Sequence, residues 1–271
     1  MKSSIRIFSS EVTMQKKPVS PAPDKIGSID KALTILEVLA TEPYVFSVTD
    51  IVKATGFNRT TIYRTLQILL NREYVQYDKR RDKYQIGHAT YHAGTIYLHN
   101  NSYQDKVMEI LVEISEITKE SVGMAVREGD KVMSLLEVEL HQPMKFNDFP
   151  GKYFPPNKGS YGKCIMAYQN EETVDRILDG QVFEKTCYNT LTTKEELKKE
   201  YAKIRAQGFV TSVDELYLDV VGTGIPIFDR TGQVNAVVAI AFDREEGWTE
   251  KLDHFTRLLL SYQEKIQKCM P

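Results

Sequence analysis

With 271 residues, 42% of them hydrophobic and 10% aromatic, the chain is long enough for two ordinary domains and apolar enough to give each a core. It contains no run of about 18 apolar residues and no apolar signal segment near its start, so a cytoplasmic protein with no membrane partner is expected. A formal net charge of -2 excludes a uniformly basic, histone-like protein, so any affinity for nucleic acid has to come from a local cluster of cations.

Residues 1–25 mix Ser and Lys with Pro18, Pro21 and Pro23 and show no apolar periodicity, which predicts a disordered arm. From Ser28 the pattern turns helical, with Ile29, Leu33, Leu36, Val38 and Leu39 on one side until Pro43 forbids continuation. Ser47 and Asp50 have capping-box spacing and start a short second helix that ends before Gly56. Asn58 then caps a third helix carrying Ile62, Leu66 and Leu69 at i, i+4 and i+7. Two short strands, 74–77 and 84–86, flank the charged tip 78–83. Three helices and such a hairpin predict a winged helix-turn-helix over residues 26–86.

A helix advances about 100° per residue, so burying Ile62 turns Thr60, Arg64, Gln67 and Asn71 outward, with Tyr63 beside them. These residue types reach phosphate oxygens and base edges: Arg grips guanine bidentately and Gln or Asn grips adenine. No acidic residue lies between Asn58 and Arg72. A solvated face would be polar too, but the turn before this helix and the basic wing after it favour double-stranded operator DNA as partner. The predicted contacts are Asn58, Arg59, Thr60, Thr61, Tyr63, Arg64 and Gln67 on the helix and Lys79, Arg80 and Arg81 on the wing, where Asp78 and Asp82 dilute the positive charge.

An Ala- and Tyr-containing stretch over 87–101 reads as a linker helix, after which Ser102 caps a helix with Val107, Ile110, Leu111, Ile114 and Ile117 on one face. Strands follow at Val122–Arg127 and Lys131–Val138, helices from about Ser160 and from Thr193, and long apolar strands at Val220–Phe228 and Val234–Phe242. Thr249 is the expected cap of the last helix, with Leu252, Phe255, Leu259, Tyr262 and Ile266 along its buried face. The second domain thus spans 102–271, and the chain as a whole is of the α+β class.

No cofactor or metal is expected. Cys164, Cys187 and Cys269 form no Cys-x-x-Cys pair, and His88 and His92, four apart with His99 beyond, have no acidic or thiol residue nearby in sequence to complete a ligand set. An enzyme is not expected either. Gly222-Thr223-Gly224 lies inside a predicted strand, where a phosphate loop would need a strand-to-helix turn.

The run 28–33, Ser-Ile-Asp-Lys-Ala-Leu, and the run 58–66, Asn-Arg-Thr-Thr-Ile-Tyr-Arg-Thr-Leu, resemble the IclR family of bacterial regulators. Gly162-Lys163, Gly208-Phe209, Asp214-Glu215 and the run 225–229, Ile-Pro-Ile-Phe-Asp, extend the resemblance over nearly all of 26–268. It implies a C-terminal GAF-like effector-binding domain with an antiparallel sheet flanked by helices, and a homodimer or homotetramer paired through the DNA-binding domains. It also implies a small organic effector in a pocket at Phe146, Phe154, Ser160, Tyr161, Ser212, Gly222, Ala239 and Ala241.

Helix-start amides near Ser160 and Tyr161 suit an anionic group. The small residues Gly222, Ala239 and Ala241 stand where other members of the family carry polar side chains, which leaves room beside Phe146 and Phe154. The expected effector is therefore a bulkier apolar or aromatic acid, and the expected protein is a ligand-responsive transcriptional regulator. The alternative is a GAF-like small-molecule-binding or catalytic protein that uses its helix-turn-helix only for dimerisation.

Overall fold

The structure, a computed structural model, describes residues 27–99, 103–141, 148–179 and 181–270. The expected arm at 1–25, the cap at Ser102 and the pocket position Phe146 lie outside the described residues. The chain divides into two compact units, one ending at Asn100 and the other beginning at Asn101.

The first unit opens with helices α1 (Ser28–Leu39), α2 (Val48–Thr55) and α3 (Arg59–Asn71), followed by strands β1 (Val75–Asp78) and β2 (Lys83–Ile86) and helix α4 (His88–His99). The capping box starts α2: the Asp50 amide donates to the Ser47 hydroxyl at 3.2 Å, and the Ser47 amide donates back to the Asp50 carboxylate at 3.0 Å. The Ser47 hydroxyl also donates to the Asp50 carboxylate at 2.7 Å, and with the Ser47 amide it holds that carboxyl below the usual carboxylate range. Ser47→Ala is expected to cost about 1 kcal/mol of stability, read as a lowered unfolding midpoint in urea.

β1 and β2 pair antiparallel from Val75↔Ile86 to Asp78↔Lys83, and Phe46, from the segment before α2, bridges to Tyr84. Ile35, Leu39, Ile51, Ile62, Leu66 and Val75 share one core. On α1 the apolar stripe divides. Ile35 and Leu39 are buried, while Ile29 and Leu33 are exposed at 75% and 53%, because α2 and α3 cover only one side of the helix. Helix α4 buries no residue and leaves Tyr91, Ile96, Tyr97 and Leu98 exposed.

The second unit runs α5 (Tyr103–Thr118), β3 (Ser121–Glu128), β4 (Lys131–Val138), β5 (Tyr153–Phe154), α6 (Gly159–Ala167), α7 (Glu171–Asp179) and α8 (Lys194–Gln207). It closes with β6 (Val210–Val213), β7 (Val220–Phe228), β8 (Val234–Asp243) and α9 (Trp248–Gln267). Its strands form one antiparallel sheet in the order β5-β4-β3-β8-β7-β6. Successive strand residues point to opposite faces and so serve two cores. Met124, Val126, Val238 and Ile240 pack with α5 and α9, whereas Ala125 and Val237 pack with Ile165, Tyr201 and Ile204 of α6 and α8.

Four features depart from expectation. Helix α7 and the two edge strands β5 and β6 were not anticipated. Thr249 is not the cap of α9: Gly247, at φ 78°, precedes the helix, and the Thr249 hydroxyl inside it donates to Glu250 at 2.9 Å. Among the described residues no helix is long and apolar enough to cross a membrane.

Candidate functional site

The first candidate surface is the outer face of α3. Asn58 caps it by accepting the Thr61 amide at 2.8 Å, and Gly56, left-handed at φ 72°, turns the chain out of α2 just before. A side chain at Gly56 would meet open space, so its requirement is conformational rather than steric. Ile62, Leu66 and Leu69 anchor the helix in the core. Thr60, Tyr63, Arg64 and Gln67 are all exposed on the opposite side.

Two other expected contacts also have structural work. The Arg59 guanidinium donates to the Thr49 hydroxyl at 2.7 Å, tying α3 to the start of α2. Thr61 is half-buried, and its amide is taken by the cap.

The acidic residues of the wing order its turn. Asp78 accepts the amides of Arg80 and Arg81 at 2.8 and 3.3 Å, and Asp82 accepts the Tyr77 hydroxyl at 2.6 Å. Arg81 lies 3.6 Å from Asp78 as an ion pair, while Lys79 and Arg80 stay exposed at the tip. A turn held by its own aspartates presents its cations at a fixed place, and phosphate contact benefits from that. His88 is engaged with Glu73 at 3.0 Å and Gln76 at 3.5 Å, an acidic neighbour that sequence adjacency did not reveal.

The second candidate site is a cavity of about 70 Å³ in the second unit, on the α6 side of the sheet. Phe154, Ser160, Tyr161, Ser212, Gly222, Ala239 and Ala241 all line it, so seven of the eight expected positions come together. The register explains this convergence, because Ala241 pairs with both Ser121 and Gly222, and Ala239 with Gly123.

The room left by the small residues is largely taken. A Cβ at Gly222 would lie 2.5 Å from the Ser160 hydroxyl, and one at Gly123 would collide with the Tyr161 hydroxyl and the Glu137 carboxylate. The glycines therefore admit polar groups from α6 and β4, and the cavity is smaller than their count suggested.

Sequence reasoning missed the acidic character of this wall. Glu137, Glu139, Asp148 and Glu215 line the cavity, and among the described residues no Lys, Arg or His does. Glu137 accepts the Tyr161 hydroxyl at 3.1 and 3.2 Å and the Ser134 hydroxyl at 2.5 Å. Burial pushes its carboxyl up to about 8, with repulsion from Asp148 and Glu139 outweighed in part by those two hydroxyls. Burial and Asp148 raise Glu139 as well.

Glu215 accepts the Gly159 amide at 3.1 Å and the Ser212 hydroxyl at 3.0 Å at the start of α6. Behind it, the wholly buried Lys163 bonds Glu215 at 2.5 Å, Glu200 at 2.9 Å and the Thr211 carbonyl at 2.9 Å. Burial raises the Glu215 carboxyl, and the Lys163 ammonium offsets that rise only in part. Cys164, next in sequence, is buried with its thiol pushed up, which suits packing rather than redox sensing.

Comparison with known proteins gives matches to both units. The family described as bacterial transcriptional regulator IclR C-terminal matches residues 95–268, and the IclR helix-turn-helix domain matches residues 28–79. The HTH-type transcriptional regulator KdgR of Escherichia coli (strain K12) is 23% identical over 257 residues, which is 95% of this chain and 97% of that protein. A solved IclR transcriptional regulator from Alicyclobacillus acidocaldarius superposes with a TM-score of 0.78 at 21% identity, covering 91% of this chain and 100% of that one. An IclR homolog from Microbacterium hydrocarbonoxydans, solved in complex with 4-hydroxybenzoate, gives a TM-score of 0.74 at 15% identity, covering 90% and 99%. At these identities the two structures establish a shared fold.

Proposed function

The chain belongs to the IclR family of bacterial transcriptional regulators, and from that premise we propose that it is a cytoplasmic regulator whose α3 reads an operator and whose C-terminal cavity takes the signal that controls the reading. One observation carries the DNA half: an exposed, acid-free face of Thr60, Tyr63, Arg64 and Gln67 on a helix anchored by Ile62, Leu66 and Leu69. Thr60, Arg64 and Gln67 contact base edges and phosphates in the major groove, Asn58, Arg59 and Thr61 set the helix start against the backbone, and Lys79, Arg80 and Arg81 meet the flanking phosphates.

The regulator works as a homodimer or an assembly of homodimers. The exposed apolar side chains Ile29 and Leu33 of α1 and Tyr91, Ile96 and Leu98 of α4 support pairing through the first unit. A small effector in the cavity lined by Phe154, Tyr161, Ser212 and Ala239 alters operator affinity, and by linkage operator DNA alters effector affinity by the same factor. The effector must bind the two DNA-binding states unequally for this to happen.

The acid expected from the sequence is not retained in this proposal. The wall is acidic, and at the start of α6 the Gly159 amide already holds the Glu215 carboxylate. Selection of the full-length protein against random-sequence duplexes is expected to enrich two related half-sites spaced by about one helical turn of DNA or a multiple of it. Recovered duplexes that share no sequence, with binding that vanishes at physiological salt, would count against operator reading.

A further inference from the structure

Resting on the proposed reading of the C-terminal cavity as the effector site, we propose that its effector is an organic cation, a small molecule whose ammonium head is held by Glu137, Glu139 and Asp148 and whose short apolar body lies against Phe154 and Ala239. Four acidic side chains line the cavity, and among the described residues no basic one does. Glu215 is paired with Lys163 behind the wall, and Asp148 with Lys152 at 2.8 Å. Among the described residues Glu137 and Glu139 have no cationic partner.

Two further observations point to a missing donor. Glu139 Oε2 is shielded from solvent and has no hydrogen-bond partner among the described residues. Such an orphaned acceptor is costly and would gain from an arriving N–H group. At the edge of the cavity the protein already holds a cation of its own. The Lys152 ammonium donates to Asp148 at 2.8 Å and to the Tyr217 hydroxyl at 2.9 Å, and it stands 5.8 Å from the Phe154 ring centre and 5.6 Å from that of Tyr217. Carboxylate, hydroxyl and ring face together are the surroundings an ammonium ion seeks.

Competing ligand classes fare worse against the same wall. A carboxylate ligand would add another negative charge beside Glu137, Glu139 and Asp148 in a poorly solvated space. At the start of α6 the Gly159 amide already holds a carboxylate, that of Glu215. A neutral ligand would leave Glu137 in the protonated form that its burial favours and would gain no charge pairing with Glu139. A cavity of about 70 Å³ suits a compact head group and a short tail.

The test is a thermal-shift titration of the full-length protein with n-butylammonium, butyltrimethylammonium, butyrate and butanol at matched millimolar concentrations. At least one ammonium compound is expected to raise the melting temperature saturably, with butyrate and butanol without effect. Glu139→Gln, which keeps the side chain's size, should weaken that binding about tenfold or more.

Affinity should also rise from about pH 6 to pH 8, because Glu137 must shed its proton to accept the ammonium. The groups facing Glu137 are Tyr161 of α6, Asp148 ahead of β5, and Glu139 beyond the end of β4. Stabilisation by butyrate, equal stabilisation by butanol, or none by either ammonium compound would overturn the proposal. If butyrate or butanol stabilises the protein and also shifts operator binding, the cation is wrong while the effector reading stands. If an ammonium compound stabilises the protein without changing operator binding, the regulatory reading fails and the ligand class survives.

Discussion

Lys163→Met is expected to destabilise the C-terminal unit by about 3–5 kcal/mol, because removing one partner of a buried ion pair strands the other. Lys163 is wholly buried, and its ammonium is the cationic partner of both Glu200 and Glu215 on the inner side of α6. Methionine fills a similar volume, so the loss would be electrostatic rather than a cavity effect. For a unit of this size the midpoint should fall by roughly 6 to 20 °C. The single tryptophan, Trp248 at the start of α9, reports on this unit alone.

The loss also carries a pH signature. Without Lys163 the folded-state pKa of Glu215 would stand further above its unfolded value, since burial would act with no ammonium to offset it. A carboxyl whose folded pKa is raised binds more protons when folded, so the variant's stability would fall as pH rises through the interval between the two values. The deficit against the parent protein should be smallest near about pH 5 and largest near about pH 8. Lys163→Met combined with Glu215→Gln should recover part of it. A loss below about 1 kcal/mol with no pH dependence would mean that the pair behaves like an exposed ion pair.

What was legible in the sequence was local. The Ser47–Asp50 box, the Asn58 cap and the Ile62, Leu66 and Leu69 stripe all depend on neighbours three to seven positions away, and each stands where its spacing placed it. The two long strands β7 and β8 announced themselves by apolar length alone. Helix α7 was missed although its signal was present: Asn170 accepts the Thr173 amide at 2.8 Å, and Val174, Ile177 and Leu178 recur on one face. Thr249 misled because a good capping residue two positions away is no guide when a left-handed glycine can end the preceding loop.

The wall of the cavity was not legible, for a physical reason. Glu137 and Glu139, Asp148, and Glu215 come from three stretches of chain, and the strand register and the approach of α6 bring them to one space. Along β4, Glu137 reads as an ordinary polar alternation. Gly222, with Ala239 and Ala241, reads in the sequence as empty volume, yet Gly222 and the unmarked Gly123 are where the Ser160 and Tyr161 hydroxyls reach the sheet. The pairing of Glu73 with His88, fifteen residues apart, was hidden in the same way.

The double variant Arg64→Ala/Gln67→Ala carries the largest expected functional effect. Both side chains are exposed on α3 and neither supports the core, so the fold should survive and the melting temperature should move little. Each bidentate base contact is worth about 1–3 kcal/mol, so losing two should weaken specific binding by about 30-fold or more. Non-specific binding through Lys79, Arg80, Arg81 and the helix start should remain. The deciding measurement is a competition titration, at physiological salt, of the parent protein and this variant on an operator duplex recovered by selection, against a scrambled duplex. The parent is expected to prefer the operator strongly, and the variant to bind both duplexes alike. An undiminished preference in the variant would contradict this expectation and place the reading of DNA somewhere other than the face of α3.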